Sequence, residues 1–328
     1  MSVGHFGTTP DGTSVQRITL SNGELTAAIL TRGALLQDLR LDGHPYPLVL
    51  GYPDLPPYVQ NPYYFGATIG RFANRLRNGI AMIDGTRHQL DRNTPQGHHI
   101  HGGREGTTHA NWQIVGHSET ATLLATRLPD GHMGFPGTLD VTVGFQLCAG
   151  PTLEIEITAR TDAPTLCSFA HHSYFNLDGT ATIDRHRLIV NATKYLPTDP
   201  DGLPTGDVRD VAGTAFDFRL GRTLLSDHPH DHNLCLATQR QPLSEAATLI
   251  GETGLQMRMI TTEPGLQIYT GDGIAADTPG LLNMSYGPRS GVALEPQLWP
   301  DAPNHPAFPS ATLLPGEAYR QVTQLSFD

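Results

Sequence analysis

The segments VTVGFQLC (residues 141–148) and LEIEIT (residues 153–158) set the class of fold that the chain can form. In the first segment every second residue from Val141 to Leu147 is apolar, and the residues between them are polar or small. In the second segment the apolar positions run from Leu153 to Ile157 and alternate with Glu and Thr. A period of two puts one face of a strand in a core and the other toward solvent. Because only residues 149–152 separate the two segments, we predict an antiparallel β-hairpin.

Short runs of the same kind recur along the chain. They lie at Leu25–Leu30, Leu35–Leu41, Ala121–Leu128, Leu188–Val190, Leu255–Ile260, Leu266–Tyr269 and Val292–Leu294, with turn-forming sequences between them. Helical periodicity longer than two turns is missing, and the nearest candidate, Leu243–Leu249, suits a single turn or a loop. We therefore predict an all-β fold, a large antiparallel β-sandwich with few short helices. No composition shift, linker or repeat divides the sequence, so residues 1–328 are expected to form one domain.

The charge and cysteine content exclude several classes of function. With 21 basic residues against 32 acidic ones the formal net charge is −11, so we expect neither nucleic acid nor a membrane surface as a partner. Lys194 is the only lysine, which rules out a GxxxxGK phosphate loop. Cys148, Cys167 and Cys235 are too few and too far apart for a disulfide framework or a paired-cysteine zinc site, which fits a reduced, cytoplasmic compartment. The sequence starts without a basic leader and contains no run of 18 apolar residues, so we expect neither secretion nor a membrane span.

Sixteen histidines are many for a chain of this length, and half of them fall in three clusters. The clusters are His98, His99 and His101; His171 and His172; and His228, His230 and His232. Residues two apart in an extended strand face the same way, so His99 with His101, or the three residues of the last cluster, could hold zinc together with a carboxylate. Proline and glycine flank all three clusters. The alternative is therefore that these side chains are solvated or hydrogen-bonded in polar loops.

A different selection from the same clusters suits acid–base chemistry without a metal. His101 precedes Gly102-Gly103, where the absence of side chains lets a ligand approach the backbone. His172 lies in an aromatic and polar strand end, and Glu295 directly follows an apolar run, so a carboxylate also sits at a strand end. Taken singly, His172 also fits a hydrogen-bonded core position and Glu295 an ordinary surface carboxylate. The combination of the three points to a site.

These residues lie within longer strings: GATIGRFANRLRNGIAMIDG, LDRN, HIHGGREG, HHSYFNLDG, HDHNLCL, GLQIYTGD, LEPQLWPDAPNHPAFPS and LLPGEAYR. In this order, over roughly residues 15 to 325, they resemble the aldose 1-epimerases, also called galactose mutarotases. The resemblance implies a β-supersandwich fold and an isomerase of carbohydrate metabolism that interconverts the α and β anomers of free aldoses such as galactose or glucose. It implies a site with no cofactor and no metal, a monosaccharide as the partner, and a monomer or homodimer.

The resemblance also carries roles to individual positions. Glu295 in LEPQ matches the catalytic base, His172 before Ser-Tyr-Phe-Asn matches the catalytic acid, and His101 in HGG matches a second active-site histidine. The positions that match sugar-binding residues are Asn74, Arg75, Asp231 and Gln267.

Several positions leave the sugar contacts open. Arg71, four residues before Arg75, is the alternative arginine contact. His171 and His98–His99 depart from the residues common in the family and bear on which hydroxyl groups are preferred. An aromatic ring is expected to cover the apolar face of the sugar. The candidates are Trp299, Tyr174 and Phe175, and core packing suits each of them equally well.

Anomerisation needs a proton to leave the C1 hydroxyl while another reaches the ring oxygen, so a base and an acid on opposite sides of the C1–O5 unit suffice. Ordinary pKa values of about 4.3 for Glu and about 6.5 for His allow an ionised Glu295 and a protonated His172 near neutral pH.

Three rival functions stay open. A carbohydrate-binding protein would leave the anomeric ratio unchanged, and a glycoside hydrolase using Glu295 and Asp231 would release reducing ends. A zinc hydrolase would be inactivated by a chelator.

Overall fold

The computed structural model describes residues 2–328, and strands connected by turns and loops dominate it. The strands of the first half are β1 (Ser2–Thr8), β2 (Ser14–Ser21), β3 (Leu25–Leu30), β4 (Leu35–Leu41), β5 (Ala67–Ile69), β6 (Arg75–Leu76), β7 (Ile80–Ile83), β8 (Thr86–Gln89), β9 (His99–Ile100), β10 (Gln113–His117), β11 (Ala121–Leu128), β12 (Leu139–Cys148) and β13 (Thr152–Thr161). Those of the second half are β14 (Thr165–Leu166), β15 (Ala170–His172), β16 (Tyr174–Phe175), β17 (Arg187–Val190), β18 (Lys194–Tyr195), β19 (Arg209–Asp210), β20 (Arg222–Thr223), β21 (Asp231–Cys235), β22 (Ser244–Ile250), β23 (Gln256–Thr261), β24 (Gly265–Tyr269), β25 (Val292–Gln297), β26 (Thr312–Leu313) and β27 (Tyr319–Phe327).

Helices are few and short in the described part of the chain. The α-helix is α1 (Pro56–Gln60). The 3₁₀ turns lie at Arg77–Gly79, Thr107–His109, His132–Gly134, Leu281–Asn283 and Ala302–Asn304. The prediction of an all-β sandwich with few short helices is confirmed.

The largest sheet has nine strands in the order β10-β11-β12-β13-β27-β23-β22-β17-β20. The predicted hairpin lies within it as β12 and β13, with Val143 opposite Ile157. Both strands bury every second side chain, which is the amphipathic pattern that their sequences carry. The apolar face of this sheet forms one wall of the main hydrophobic core.

The opposing wall is a six-stranded sheet in the order β16-β25-β24-β21-β18-β19. Leu294 of β25 lines the same small interior cavity as Ile155 and Ile157 of β13, so the two sheets pack face to face. Because side chains alternate along a strand, Glu295 points away from this core. Every residue of β25 is nevertheless buried, since further loops and short strands cover its second face.

Smaller sheets complete the fold. A four-stranded meander runs β1-β2-β3-β4, and the two-stranded pairs are β14-β26, β15-β5, β6-β9 and β7-β8. The pairs β15-β5 and β6-β9 place His172 opposite Ala67 and Arg75 opposite Ile100. These two pairs bring separate parts of the sequence to the outer face of the six-stranded sheet.

Most predicted strands are confirmed, and one segment is not. β3, β4 and β11 have the predicted bounds, whereas the expectation of a single turn or loop at Leu243–Leu249 is wrong. This segment forms β22, which pairs with β17 and β23. A register shift between Glu245 and Ala247 interrupts the alternation and buries Ala246 and Ala247 side by side. The β-bulge therefore removes the period of two that would have identified the strand.

The three cysteines are free thiols, as expected from their spacing. Lys194 forms an ion pair of 2.8 Å with Asp210 between β18 and β19. Within residues 2–328, no helix is long and apolar enough to cross a membrane.

Candidate active site

A cleft of about 320 Å³ opens on the outer face of the six-stranded sheet. Six of the seven residues predicted from the sequence line it: Asn74, Arg75, His101, His172, Asp231 and Glu295. They come from β6, β15, β21, β25 and the ends of neighbouring strands. The fold therefore gathers residues that are up to about 220 positions apart in the sequence.

The acidic and basic groups at the centre of the cleft are Glu295 and His172. The Nε2 atom of His172 lies 3.6 Å from Oε1 of Glu295, and the side chains are only 5% and 2% exposed. The second carboxylate oxygen of Glu295 has no hydrogen-bond partner among the described protein groups. It is therefore free to accept a proton or a hydrogen bond from a ligand.

Burial shifts the pKa values of this pair in opposite directions. Desolvation raises the pKa of the Glu295 carboxyl group well above its ordinary value, with a further increase from nearby Asp231 and an opposing effect of Arg75. Desolvation lowers the pKa of His172 to about 4. The expectation that the two groups keep ordinary pKa values is wrong, because a buried site favours the neutral form of each. Over a wide pH range the pair therefore holds a single proton, on one group or the other.

His101 is held in one tautomer by the backbone of Asn74. Its Nδ1 accepts a hydrogen bond of 3.1 Å from the Asn74 N–H, and the His101 N–H donates in return to the Asn74 carbonyl oxygen at 3.2 Å. Since Nδ1 is an acceptor, the proton of the neutral ring is on Nε2. Burial lowers the pKa of His101 well below its ordinary value. His101 is thus a neutral hydrogen-bond donor at the cleft.

The turn after His101 depends on glycine. His101 has a φ of +51°, and Gly102 follows with a φ of +86°. A Cβ atom at Gly102 would lie 1.8 Å from the carbonyl oxygen of Gly70, so no other residue fits there. The HGG sequence is therefore required by close backbone packing beside the cleft.

A charged group at the rim of the cleft is formed by Asp231, Arg75 and Gln267. Arg75 Nη1 donates to Asp231 Oδ2 at 3.3 Å, and Gln267 Nε2 donates to Asp231 Oδ1 at 2.6 Å. Gln267 is buried and pairs with both Glu295 and Asn233 in the sheet. Gln267 thus lies behind Asp231, where it fixes the carboxylate, rather than in the cleft lining.

The structure separates the two candidate arginines. Arg71 is almost completely buried, and its guanidinium donates to the carbonyl oxygens of Gly137, Pro136 and Pro129 at 2.7 to 3.2 Å. Burial lowers its pKa to about 10. Arg71 ties loops together, and Arg75 is the arginine of the cleft.

The histidine pairs proposed for zinc do not come together. β9 ends at Ile100 and His101 has a left-handed backbone, so His99 points elsewhere. Its Nδ1–H donates to the Asp91 carbonyl oxygen, and its ring packs on Phe135. In the other cluster, His230 packs against Phe218, and His232 contacts Thr198.

Among residues 2–328, the group of metal-type ligands that does form is His101, His172 and Glu295, whose ligand atoms lie within 4.8 Å of one another. A neutral metal-bound histidine needs its proton on the other nitrogen, and the Asn74 N–H occupies that side of His101. This donor set therefore does not fit zinc well.

Of the three aromatic rings proposed for the cleft, Tyr174 lines it and the other two lie in buried clusters. Trp299 donates to the Pro264 carbonyl and packs on Phe308 in a buried cluster, and Phe175 belongs to the main core. Tyr174 does line the cleft, with its ring 5.0 Å from that of His172. Sequence reasoning missed the other three lining tyrosines, Tyr63, Tyr64 and Tyr269. Their only sequence signal is the aromatic string NPYYFG and the alternation in GLQIY.

A larger hollow, of about 810 Å³, lies on the outer face of the nine-stranded sheet. Its charged lining includes Arg127 and Asp140, which pair with each other at 2.6 Å and are more than half exposed. It offers no buried acid–base pair. The cleft around Glu295 and His172 is therefore the better candidate for chemistry.

The fold and the cleft together fit a class of protein, the β-sandwich enzymes that act on sugars. The class is supported by solved structures. An aldose epimerase homologue from C. elegans has a TM-score of 0.89 at 29% identity, covering 95% of this chain and 98% of that chain. A galactose 1-epimerase from Lactobacillus acidophilus has a TM-score of 0.85 at 28% identity, covering 100% and 98%.

Sequence comparison gives the family. The family described as aldose 1-epimerase matches residues 16–326. A galactose mutarotase from Rattus norvegicus is 35% identical over 98% of this chain and 97% of its own length. An aldose 1-epimerase from Escherichia coli (strain K12) is 34% identical over 97% of this chain and 96% of its own length. The chain belongs to the aldose 1-epimerase family, and it is an isomerase of the mutarotase type.

Proposed function

We propose that this chain interconverts the α and β anomers of free aldohexoses, with Glu295 as the base, His172 as the acid and His101 as a hydrogen-bond donor to the reacting sugar. The observation that carries the proposal is the contact of 3.6 Å between His172 and Glu295 inside a polar cleft. Both groups are buried, so their proton is kept from bulk water and directed to a bound ligand.

The proposed reaction moves two protons and breaks one bond. Glu295 takes the proton of the O1 hydroxyl while His172 gives a proton to the ring oxygen O5. The electron pair of the C1–O5 bond goes to O5, and O1 forms the carbonyl bond to C1. Rotation about the C1–C2 bond turns the other face of the aldehyde toward O5, and reclosure reverses both proton transfers.

The proton balance of this step agrees with the electrostatics of the cleft. Before ring opening the proton is on His172 and Glu295 is ionised; afterwards Glu295 is protonated and His172 is neutral. The pair holds one proton in both states, and burial favours the neutral state that ring opening produces. Arg75 lowers the pKa of Glu295 and so supports the ionised state from which the reaction starts.

We propose that Asn74, Arg75 and Asp231 bind the hydroxyl groups of the sugar. Arg75 and Asp231 supply charge-assisted hydrogen bonds to vicinal hydroxyl groups, and Gln267 keeps Asp231 in place. Both oxygens of Asp231 are engaged by protein donors, which fixes the carboxylate at the rim and favours a binding role over the catalytic role that the glycoside hydrolase alternative gives it. Fixing the hydroxyl groups in this way orients the C1–O5 bond between base and acid.

The sugar that this chain uses is proposed to be galactose or glucose, since relatives named galactose mutarotase match nearly the whole chain. We further propose a single domain, a cytoplasmic location and a monomer or homodimer. The main hydrophobic cluster, which takes residues from Ile18 to Phe327, supports the single domain.

Polarimetry tests the proposal. Freshly dissolved α-D-galactose and α-D-glucose are followed with and without the protein, and lactose is incubated in parallel. The proposal requires faster decay to the same final rotation and no release of monosaccharide from lactose. An unchanged decay for both hexoses, as well as for xylose and arabinose, would refute it, and binding without acceleration would leave a carbohydrate-binding protein.

A further inference from the structure

Tyr64 lies against both histidines of the cleft. The centroid of its ring is 4.6 Å from that of His101 at an interplanar angle of 61°, and 5.7 Å from that of His172 at 27°. The two histidine rings are 5.4 Å apart. Tyr64 therefore packs on the two groups that are proposed to hold and protonate the sugar.

The backbone at Tyr64 is held in an unusual conformation. Its φ is +59°, in the left-handed region that bulky residues rarely adopt without strain. The segment is tied on both sides: Tyr64 N–H donates to the Asn61 carbonyl and Ala67 N–H to the Tyr64 carbonyl. Asn61 in turn bonds the backbone of Phe65 through its side chain. These bonds direct the Tyr64 ring into the cleft instead of the neighbouring aromatic core.

The hydroxyl group of Tyr64 has no hydrogen-bond partner among the described residues, unlike those of two other tyrosines of the cleft. The Tyr63 hydroxyl donates to the Ala275 carbonyl at 2.9 Å, and the Tyr269 hydroxyl accepts from Gly273 N–H at 2.7 Å. Burial raises the pKa of Tyr64 and nearby Arg75 opposes that effect. The hydroxyl thus stays protonated at neutral pH, lies near a proposed sugar-binding arginine, and can both donate and accept.

We propose that Tyr64 is a sugar-contacting and positioning residue. Its hydroxyl forms a hydrogen bond with a hydroxyl group of the aldose beside Arg75, and its ring keeps the rings of His101 and His172 in their positions. This inference rests on the proposed function and adds a residue to it. The two parts are separable, because the hydroxyl acts on sugar affinity and the ring acts on the step of proton transfer. A lost neutral hydrogen bond is expected to weaken binding about threefold to tenfold, whereas a displaced acid is expected to slow turnover by tenfold or more.

Two variants of Tyr64 test the two parts by polarimetry. Tyr64→Phe keeps the ring and is expected to raise KM about threefold to tenfold with kcat within about twofold of wild type. Tyr64→Ala removes the ring as well and is expected to lower kcat by tenfold or more beyond Tyr64→Phe. Tyr64→Leu fills much of the volume without a flat ring and serves in place of Tyr64→Ala if that variant does not fold. Tyr52→Phe is the matched control. The Tyr52 hydroxyl also lacks a hydrogen bond to the described protein groups, and Tyr52 belongs to an adjacent aromatic cluster that does not line the cleft.

A binding measurement separates this inference from the proposed function. 1,5-Anhydro-D-galactitol lacks O1 and cannot open its ring, so calorimetry with this compound reports affinity without catalysis. An unchanged Kd and KM for Tyr64→Phe would overturn the contact through the hydroxyl, and equal kcat values for the Phe and Ala variants would overturn the positioning by the ring. If wild type bound the compound but did not accelerate mutarotation, the proposed function would fail, while weaker binding by Tyr64→Phe would still support the contact.

Discussion

The pH dependence of mutarotation follows from the burial of Glu295 and His172. If both groups kept ordinary pKa values of about 4.3 and about 6.5, the pair would hold its single proton only between those values. Catalysis at pH 7.5 would then fall to roughly a tenth of its maximum, because His172 would be deprotonated beside an already ionised Glu295.

Burial widens this window in both directions. The pKa of His172 is lowered to about 4 and that of Glu295 is raised well above its ordinary value. The second proton is therefore gained only as the pH falls through about 4, and the single proton is released at a higher pH than an ordinary Glu carboxyl group would release it. We expect kcat/KM to fall less between pH 5.5 and pH 7.5 than the roughly tenfold drop for ordinary groups.

The assay is polarimetry of α-D-galactose from pH 4 to pH 9, with the spontaneous and buffer-catalysed rates subtracted at each pH. Circular dichroism at every pH confirms that the protein stays folded. A tenfold lower kcat/KM at pH 7.5 than at pH 5.5 would refute the reasoning, because it would mean that His172 titrates as an exposed histidine does.

The remaining predictions concern the arginines and one turn. Arg71→Lys is expected to lower Tm by roughly 3 °C through loss of about 2 kcal/mol of buried hydrogen bonding, with KM unchanged; calorimetry and polarimetry check both values. Arg75→Lys is expected to raise KM about tenfold with little change in Tm. A lower Tm with unchanged KM for Arg75→Lys, together with a raised KM for Arg71→Lys, would mean that Arg71 binds the sugar and Arg75 has the structural role. In Gly202→Ala the new Cβ would lie 3.2 Å from Cζ of Arg75, so Arg75 must move and its bond of 3.3 Å to Asp231 weakens; KM is expected to rise about threefold to tenfold. Gly213→Ala has a similar positive φ but no atom within 4 Å of the new Cβ, and an equal rise in KM there would show that backbone strain alone is responsible.

Strand periodicity was enough to predict the architecture where the pairing is regular. β12 and β13 alternate without interruption and bury the residues that their sequences predict. β22 was missed because its bulge places two buried alanines in succession. The local sequence pattern predicts a strand only when side chains alternate between the two faces without interruption.

The site residues came from family motifs, and their geometry did not follow from sequence spacing. His99 and His101 are two apart, yet the left-handed backbone of His101 sends them to different environments. Arg71 and Arg75 share one motif, yet one is buried under loops and the other lines the cleft. These outcomes depend on contacts with residues distant in sequence, which a spacing rule cannot include.

Two further properties of the site required the packed structure. The pKa shifts of Glu295 and His172 arise from desolvation by several strands and loops at once. The direction of the Tyr64 ring arises from a positive φ that the local sequence does not predict. Both are consequences of tertiary packing rather than of local sequence.

In the proposed reaction, Glu295 and His172 catalyse ring opening without a metal. The most direct test is the decay of optical rotation of fresh α-D-galactose in buffer with a chelator, comparing wild type with Glu295→Gln at equal concentrations of folded protein. We expect full wild-type acceleration in the chelator and a loss of roughly 10²- to 10⁴-fold in kcat for Glu295→Gln, which keeps the shape of the side chain but cannot take a proton. A folded Glu295→Gln protein that accelerates the decay as wild type does, or a wild type that the chelator inactivates, would contradict it.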